Sequence, residues 1–598
     1  MDRSGEEGER RASKSPVQNE GGQGTGEGEA LGQDDQMSGS VGPSPRTKGR
    51  GLSRREFLAR LAAGVAAPAV GVGAWEAVRS TEAPARPPSS RHPARGATKP
   101  PAGRGHATAS WVSEENSKPG SAAWTISGYA IPGALDAYSD SVSAQRGDRI
   151  RLFVSSKASS FYAEAFRMGY YNGLGARLLW RSPEVPSVSQ PPAAFTPGIN
   201  MVECHWRPSL SFTVGRDWPE GVYLIKITDS AAQQRYVPLV LRNDQSKAAV
   251  VIQHSVTTWQ AYNWWGGYCL YYGPPGHNFF NRSRVVSFDR PYASQWAFGA
   301  SDFIGNELPL VMLAEKLGLD ATHWTDIDFT ERPQLLSNHK ALFSLGHDEY
   351  WSPAMFDASL AARDRGVNFA FFGANACFRR IRLASSPLGP ARREICYKVP
   401  TEDPLYGKDN ALVTANFPDP PDARPESLLI GNMYQSYGVL ADMVITDPTS
   451  WVLAGTGAKA GDRLRSIVGS EYDGIDPAVG GPRNIDVIAH SPVTAQGQPG
   501  FSDMTWYTQG SAGGVFASGT NLWVNRLADY SGKFAPGLVP PAVPGVTAEL
   551  TTMTENIFAV LSHGPAGRTH GSSGNWASLY PGPVPSETAS NYRNYWGA

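Results

Sequence analysis

Cysteine is scarce in this chain of 598 residues. There are four, Cys204, Cys269, Cys377 and Cys396, and none form a CxxC pair. That spacing argues against a zinc knuckle or a thioredoxin-type redox centre. In an exported protein one or two disulfides are open to it, with Cys377–Cys396 closing the shortest loop, and buried free thiols are the equal alternative. Charge is sparse as well, at 18% of residues and a net −1. No nucleic-acid partner is expected, since such binders normally present a basic face. Long apolar runs are lacking: the one that ends near Ala74 is short, rich in alanine and too weak for a membrane span. Familiar catalytic signatures are missing too. There is no His-Glu-x-x-His, no Gly-x-Ser-x-Gly elbow and no Gly-Lys-[Ser/Thr] phosphate loop, and the run Gly299–Gly305 is not a dinucleotide fingerprint.

What the chain does have begins with an address. Residues 1–50 are rich in Gly, Glu, Ser and Gln and contain no aromatic residue, the composition of a disordered extension. Within 51–80, Ser53-Arg-Arg-Glu-Phe-Leu58 precedes the Ala/Gly/Val run and resembles a twin-arginine export signal. The expected partner there is the twin-arginine translocase, and the expected location is the bacterial cell envelope or the medium. That route carries folded proteins, often with a cofactor already loaded, which favours a metal without naming one. A Pro/Ala/Arg-rich linker fills 81–110.

Two folded parts follow. From 111 to 245 polar and apolar residues alternate over 148–155, 162–167, 221–228 and 235–242, punctuated by Gly, Pro and Asp, which predicts an immunoglobulin-like β-sandwich. From 246 to 540 the rhythm changes. Strands over 248–253, 321–325, 340–345 and 367–373 alternate with helices over 306–318, 331–338 and 353–365, and later β runs cover 484–488 and 514–517. This predicts an α/β domain on a parallel sheet, comparable to glutamine amidotransferase-like domains. The C-terminal extension, 541–598, reads as a loose tail from about 565.

Chemistry gathers at the strand ends. The stretch Lys340-Ala-Leu-Phe-Ser-Leu-Gly-His-Asp-Glu-Tyr-Trp351 ends a buried strand in three ionisable groups. Ligands in open α/β sheets sit outside the carboxyl ends of the strands. The first strand, 248–253, leads into Thr257-Thr-Trp-Gln-Ala-Tyr-Asn-Trp-Trp-Gly-Gly-Tyr-Cys-Leu-Tyr-Tyr272, and the strand over 367–373 into Gly373-Ala-Asn375. Parallel strands put all three on one rim, so Tyr262, Tyr271, His347, Glu349 and Asn375 can converge. His347-Asp-Glu349 stands where an amidotransferase would carry its nucleophilic cysteine, which disfavours a thiol. Cys377 has Arg379 and Arg380 beside it, weak support for a thiolate. Phenolates with a carboxylate are hard anionic donors that suit Fe(III) better than zinc or copper(I).

On Thr-Trp-Gln-Ala-Tyr-Asn (258–263), Gly-His-Asp-Glu-Tyr-Trp (346–351), Gly-Ala-Asn (373–375) and Gly-Ser-Glu-Tyr-Asp (469–473), the chain resembles the large (β) subunit of N,N-dimethylformamidase in its C-terminal domain. The resemblance spans roughly 111–540. It implies hydrolysis of a small amide and a mononuclear iron held by Tyr262, Tyr271 and Glu349, with Tyr271 preferred over Tyr268 and Tyr272. It implies Glu471 as the base that activates water, with His347 and Asn375 stabilising the oxyanion. It also implies a small partner subunit, which this chain does not contain; a homo-oligomer stays open. The tyrosine loop is shorter than the formamidase's, and the export signal is a further departure, so the substrate is not assumed to be dimethylformamide.

Blander readings stand beside these. Asp348 and Glu349 can cap the following helix, Asn375 can supply a turn, and Glu471 can pair with Arg483. A non-catalytic alternative is an envelope protein that binds glycan through Trp259, Trp264, Trp265 and their neighbours. A third is a metal-free hydrolase with Glu349 and Glu471 as acid and base.

Overall fold

The computed structural model describes residues 105–126, 130–510, 512–527, 543 and 545–581. The N-terminal extension, the twin-arginine segment and most of the linker lie outside the described residues. Among the described residues no helix is long and apolar enough to cross a membrane, and all four cysteines are buried and unpaired.

The alternating segments form two sheets. One runs β1 (Leu135–Ser139), β3 (Arg149–Ser156), β6 (Leu210–Thr213), all antiparallel. The other runs β2 (Ser143–Ala144), β8 (Gln234–Leu241), β7 (Gly221–Asp229), β4 (Ser160–Met168), β5 (Ala176–Arg181). Ile150, Leu152 and Val154 of the first pack on Phe161, Ile225 and Leu239 of the second, so the two make a sandwich. The second sheet is covered on its other face as well. Phe166, Val222 and Leu224 join one core with Ile252, Leu310 and Val311 of the α/β part. This is why β7 is buried along its whole length rather than on alternate residues.

The α/β part is built on seven strands in the order β10-β9-β11-β12-β17-β16-β15. They are β9 (Val250–His254), β10 (Ala321–Thr325), β11 (Ala341–Ser344), β12 (Asn368–Phe371), β15 (Asp486–Ala495), β16 (Gln498–Thr508) and β17 (Gly514–Ala517). The first five in spatial order are parallel, as the β/α alternation predicts. The sheet is nonetheless mixed, because β16 and β15 add an antiparallel edge. Between β12 and β15 a long hairpin, β13 (Met433–Val444) and β14 (Arg463–Gly474), forms its own two-stranded sheet and packs Val439, Met443 and Val468 on Ile488 and Val493 of β15.

Helices follow the strands. α1 (Val256–Tyr262) leaves β9 directly. α2 (Leu308–Leu317) has proline in its first turn and stops at Gly318, whose φ of 68° suits glycine. α3 (Pro353–Asp364) is capped by the Ser352 side chain, which accepts from Met355 N.

The tail differs from its composition. α4 (Val546–Leu561) buries Leu550, Met553, Ile557 and Phe558, and residues 566–581 are tied to the sheet edge. His570 O accepts from Trp506 Nε1 at 2.9 Å, Ser572 Oγ from Asn484 Nδ2 at 2.8 Å, and Trp576 Nε1 donates to Arg483 O at 2.9 Å. The backbone here lies against its neighbours: a Cβ on Gly567 would meet Ala512 O at 2.7 Å, and one on Gly574 would meet Asn484 Cα at 3.0 Å.

Candidate active site

Two glycines bring the strand ends together. Gly346 follows β11 with φ +48°, and a Cβ on Gly373, just after β12, would lie 1.4 Å from the Gly346 carbonyl. Only glycine permits that approach. His347-Asp-Glu349 and Ala374-Asn375 therefore leave the sheet side by side.

The motif 258–263 on α1 assigns a task to each polar residue. Thr258 Oγ1 accepts from Glu349 N at 2.9 Å and fixes the carboxylate's backbone. Trp259 Nε1 donates to Glu307 at 3.0 Å, and Gln260 donates to Ser287 O. Asn263 receives Trp265 N and Ala293 N on Oδ1, locking the start of the tyrosine loop. Tyr262 is left aimed at the rim. Its hydroxyl donates to Glu349 Oε2 at 2.7 Å. The Tyr271 hydroxyl lies 2.7 Å from that of Tyr262 and 2.7 Å from each Glu349 oxygen. Burial and the adjacent Glu349 charge push both phenols well above their ordinary range. Burial pushes the Glu349 carboxyl up, but Arg379, Lys398 and His347 outweigh it and hold it below the usual range. Tyr268 instead packs on Phe195, and Tyr272 on His277.

A second cluster faces the first. His347 Nε2 lies 3.2 Å from Glu471 Oε2 and 3.5 Å from Glu349 Oε2, and Nδ1 lies 4.0 Å from Asp302. Burial lowers the imidazole, yet Glu471, Glu349 and Asp302 together raise it to about 9. Glu471, on β14, accepts Asn375 Nδ2 at 2.9 Å and Asn521 Nδ2 at 3.3 Å. It does not meet Arg483. Asn375 takes a left-handed φ of 57°, a conformation asparagine tolerates, and Asp473 holds its backbone N–H at 2.7 Å. The turn and the side-chain contact thus occur in one residue. Asn375 Oδ1 is buried without a hydrogen-bond partner, a polar atom left over beside the tyrosine–glutamate cluster, while His347 Nε2 faces the Glu471 and Glu349 carboxylates.

Several simpler expectations are overturned. Asp348 and Glu349 do not cap α3, because Ser352 does; Asp348 is instead buried against Gln253 and Ser344. Trp259 is core, 1% exposed, and offers no stacking face. Cys377 is buried and its thiol is pushed well above the ordinary range, first by burial, so it is no thiolate. Its neighbour Arg379 turns away to donate to Glu349 Oε1 at 3.0 Å. Arg379, Lys398, Asp302 and Asn521 were not singled out from sequence as site residues. Only Arg379 carries a visible signal, an arginine near a strand end, and its partner is the Glu349 carboxylate rather than the Cys377 thiol. Glu349, paired with Arg379 and held low, is poorly suited to be the acid of a metal-free pair.

A family model described as N,N-dimethylformamidase beta subunit-like, C-terminal, matches residues 162–534. The chain belongs to this family. The match takes in most of the sandwich and the whole rim, so the formamidase-like region and the cluster coincide. No curated protein matches the chain. Among the described residues, no group of three or more His, Cys, Asp and Glu side chains is arranged to hold a metal ion. A metal in this formamidase-like rim would therefore depend on phenol oxygens. Tyr262, Tyr271 and Glu349 fit that requirement: they supply four oxygens in mutual contact, all hard donors.

Proposed function

We propose that the chain is an exported, iron-dependent hydrolase that breaks the C–N bond of a small, non-peptide amide. The observation that carries this reading is the convergence of the Tyr262, Tyr271 and Glu349 oxygens at 2.7 Å opposite His347, Asn375 and Glu471. Membership of a dimethylformamidase-like family supports the hydrolase class and the amide substrate. A ferric ion held by the two tyrosines and the glutamate would supply Lewis acidity at the amide carbonyl.

The chain's own groups do the rest. Asn375 and Asn521 hold Glu471 so that one carboxylate oxygen can take a proton from water. The hydroxide adds to the carbonyl carbon. His347 Nε2 and the second hydrogen on Asn375 Nδ2 donate to the oxyanion that forms. Collapse breaks the C–N bond, and the leaving amine takes the proton back from Glu471, giving an acid and an amine.

The twin-arginine segment supports export, and the β-subunit-like description supports a second, small subunit in the working enzyme. We also read the two-sheet part as immunoglobulin-like and the mixed sheet as glutamine amidotransferase-like, on their strand orders. The test is metal content and the visible spectrum of protein produced with iron. Stoichiometric iron and a phenolate charge-transfer band, both lost in Tyr262→Phe and Glu349→Gln, are expected. Protein that takes up no iron, or an iron band that survives both substitutions, sinks the reading.

A further inference from the structure

The aromatic run after Tyr262 has a second face that amide hydrolysis does not use. While Tyr271 turns to the rim, Trp265 and Tyr268 border a separate cavity of about 500 Å³ at the edge of the sandwich. This is within the range of small-ligand clefts, about 300–1,000 Å³. Trp206 and Phe195 complete its aromatic lining, with Asp136 and Lys157 as its charged groups.

The cavity is held in shape. Trp206 meets Trp265 edge-on with centroids 6.0 Å apart, and its Nε1 donates to Pro191 O at 2.9 Å. Phe195 and Tyr268 lie 5.0 Å apart. Fully buried Arg290 pins the loop from beneath, donating to Trp265 O at 3.1 Å, Tyr268 O at 3.0 Å and Asn263 O at 2.8 Å. Gly266 has φ +78°, and a Cβ there would strike Val202 at 2.7 Å, so the loop rests directly on the sandwich. Phe195 is 46% exposed, a large ring kept in water at the mouth of a built cleft.

We propose that this cleft binds a short, uncharged oligosaccharide of pyranose units. Aromatic faces suit the C–H faces of a pyranose, and the rings here are set before binding, which limits the entropy cost. Sugar hydroxyls need both donors and acceptors. Lys157 donates, and Asp136, which accepts from the Trp265 side chain, is buried at the wall. Burial pushes the Asp136 carboxyl up, against the pull of Arg235, to about 6, so near that pH it can serve in either role. Beside its bond from the Trp265 side chain the carboxyl keeps acceptor capacity to spare, which a hydroxyl-bearing ligand can use and a purely apolar one cannot. A polyanion would meet it head-on.

The experiment is titration calorimetry of the full chain with chitotriose, cellotriose and maltotriose, followed in parallel by tryptophan fluorescence. At least one sugar is expected to bind saturably and perturb the emission. Trp265→Ala and Phe195→Ala each weaken that binding by about tenfold, while Tyr262→Phe binds as the parent does. Phe195 is exposed enough that its truncation reports on the cleft without touching the core. The proposal is overturned if none of the three sugars binds at millimolar concentration, if a proline-rich peptide binds in their place, or if sugar binding survives both substitutions. Since Tyr262→Phe removes only the proposed metal site, failure of one reading leaves the other standing.

Discussion

Arg167 of the sandwich and Glu315 of α2 form an ion pair, with Nη2 and Oε1 2.6 Å apart and both side chains buried. A second contact, Nη1 to Oε2, measures 3.0 Å. Arg167 also holds the Tyr171 hydroxyl at 2.9 Å and Glu220 O at 2.9 Å. Burial alone would lower the guanidinium, but Glu315 holds it well above its ordinary range. The pair thus fastens the second sheet to the helix that supports the rim. Removing one partner leaves a buried charge uncompensated. Glu315→Ala is expected to cost about 3–5 kcal/mol in chemical denaturation. The double change Arg167→Met with Glu315→Leu is expected to recover much of that loss. A Glu315→Ala protein as stable as its parent would show that the pair does not join the two parts.

Arg379 plays the same part inside the site. It contacts Glu349 directly at 3.0 Å, and both residues are buried. Arg379→Met is expected to destabilise the metal-free protein by about 3 kcal/mol, measured by urea unfolding. Arg379→Lys is expected to restore part of this, since a point charge remains but the planar fork is lost. Equal unfolding curves for Arg379→Met and the parent would assign Glu349's charge to another partner.

In the proposed reaction His347 and Glu471 divide the hydrolytic work, and on that reading their substitutions separate from those of the tyrosine–glutamate cluster. His347→Gln removes an oxyanion donor, and kcat on an amide is expected to fall about 10²–10³-fold. Glu471→Gln keeps the bonds to Asn375 and Asn521 in shape but removes the base, with a loss of similar order. Both variants are expected to retain full iron content and an unshifted visible band. Loss of the metal in either would move that residue from the chemistry to the coordination.

The sequence exposes the parallel core because buried parallel strands are short apolar runs, as at Ala341–Ser344 and Gly514–Ala517. Strand order then places His347, Glu349 and Asn375 on one rim before any side chain is seen. Glu471 is different. It rides on a hairpin outside the sheet, and no periodicity says where such a hairpin folds back; only the motif 469–473 marked it. Of the antiparallel edge only the start of β15 shows as an apolar run, at 484–488, and such a run does not reveal direction; β16, with Gln498, Pro499, Gly500 and Asp503 in its first half, shows none. Arg379 was read through its neighbour Cys377 because adjacency in sequence is visible and a contact with Glu349, thirty positions upstream, is not. Trp259 and Trp265 look alike in the sequence, yet one is core and the other lines a cleft.

Asp136 carries a pH signature. Burial raises its folded-state pKa to about 6 from an ordinary 3.8. The folded chain therefore binds this proton more tightly than the unfolded chain does. Its contribution is fully present below pH 3.8 and is lost as pH rises through about 6. At pH 7 the charged form costs roughly 2–3 kcal/mol, by about 1.4 kcal/mol per pKa unit. Asp136→Asn is accordingly expected to be more stable than the parent at pH 7, with the difference shrinking as pH falls toward 4. Urea melts at the two pH values measure it. A difference that does not change with pH would mean the carboxyl titrates normally.

The tail from 565 supplies the last test, because composition and packing disagree there. Trp576 is 7% exposed and packs in the cluster that contains Ile485, Val487 and Tyr507. Asn575 ties the same segment down, accepting from Val487 N at 2.7 Å and donating to Val487 O at 3.0 Å. Truncating a buried tryptophan costs about 3–5 kcal/mol when the site cannot collapse. Trp576→Ala is expected to lose stability of that order, and deletion of 566–581 at least as much. The deletion also uncovers the antiparallel edge, where Trp506 and Asn484 lose their partners His570 and Ser572. Calorimetric melts of the two variants decide it: Tm values equal to the parent's would make the segment a loose tail after all, and a clear drop in both would make it the outer wall of the sheet.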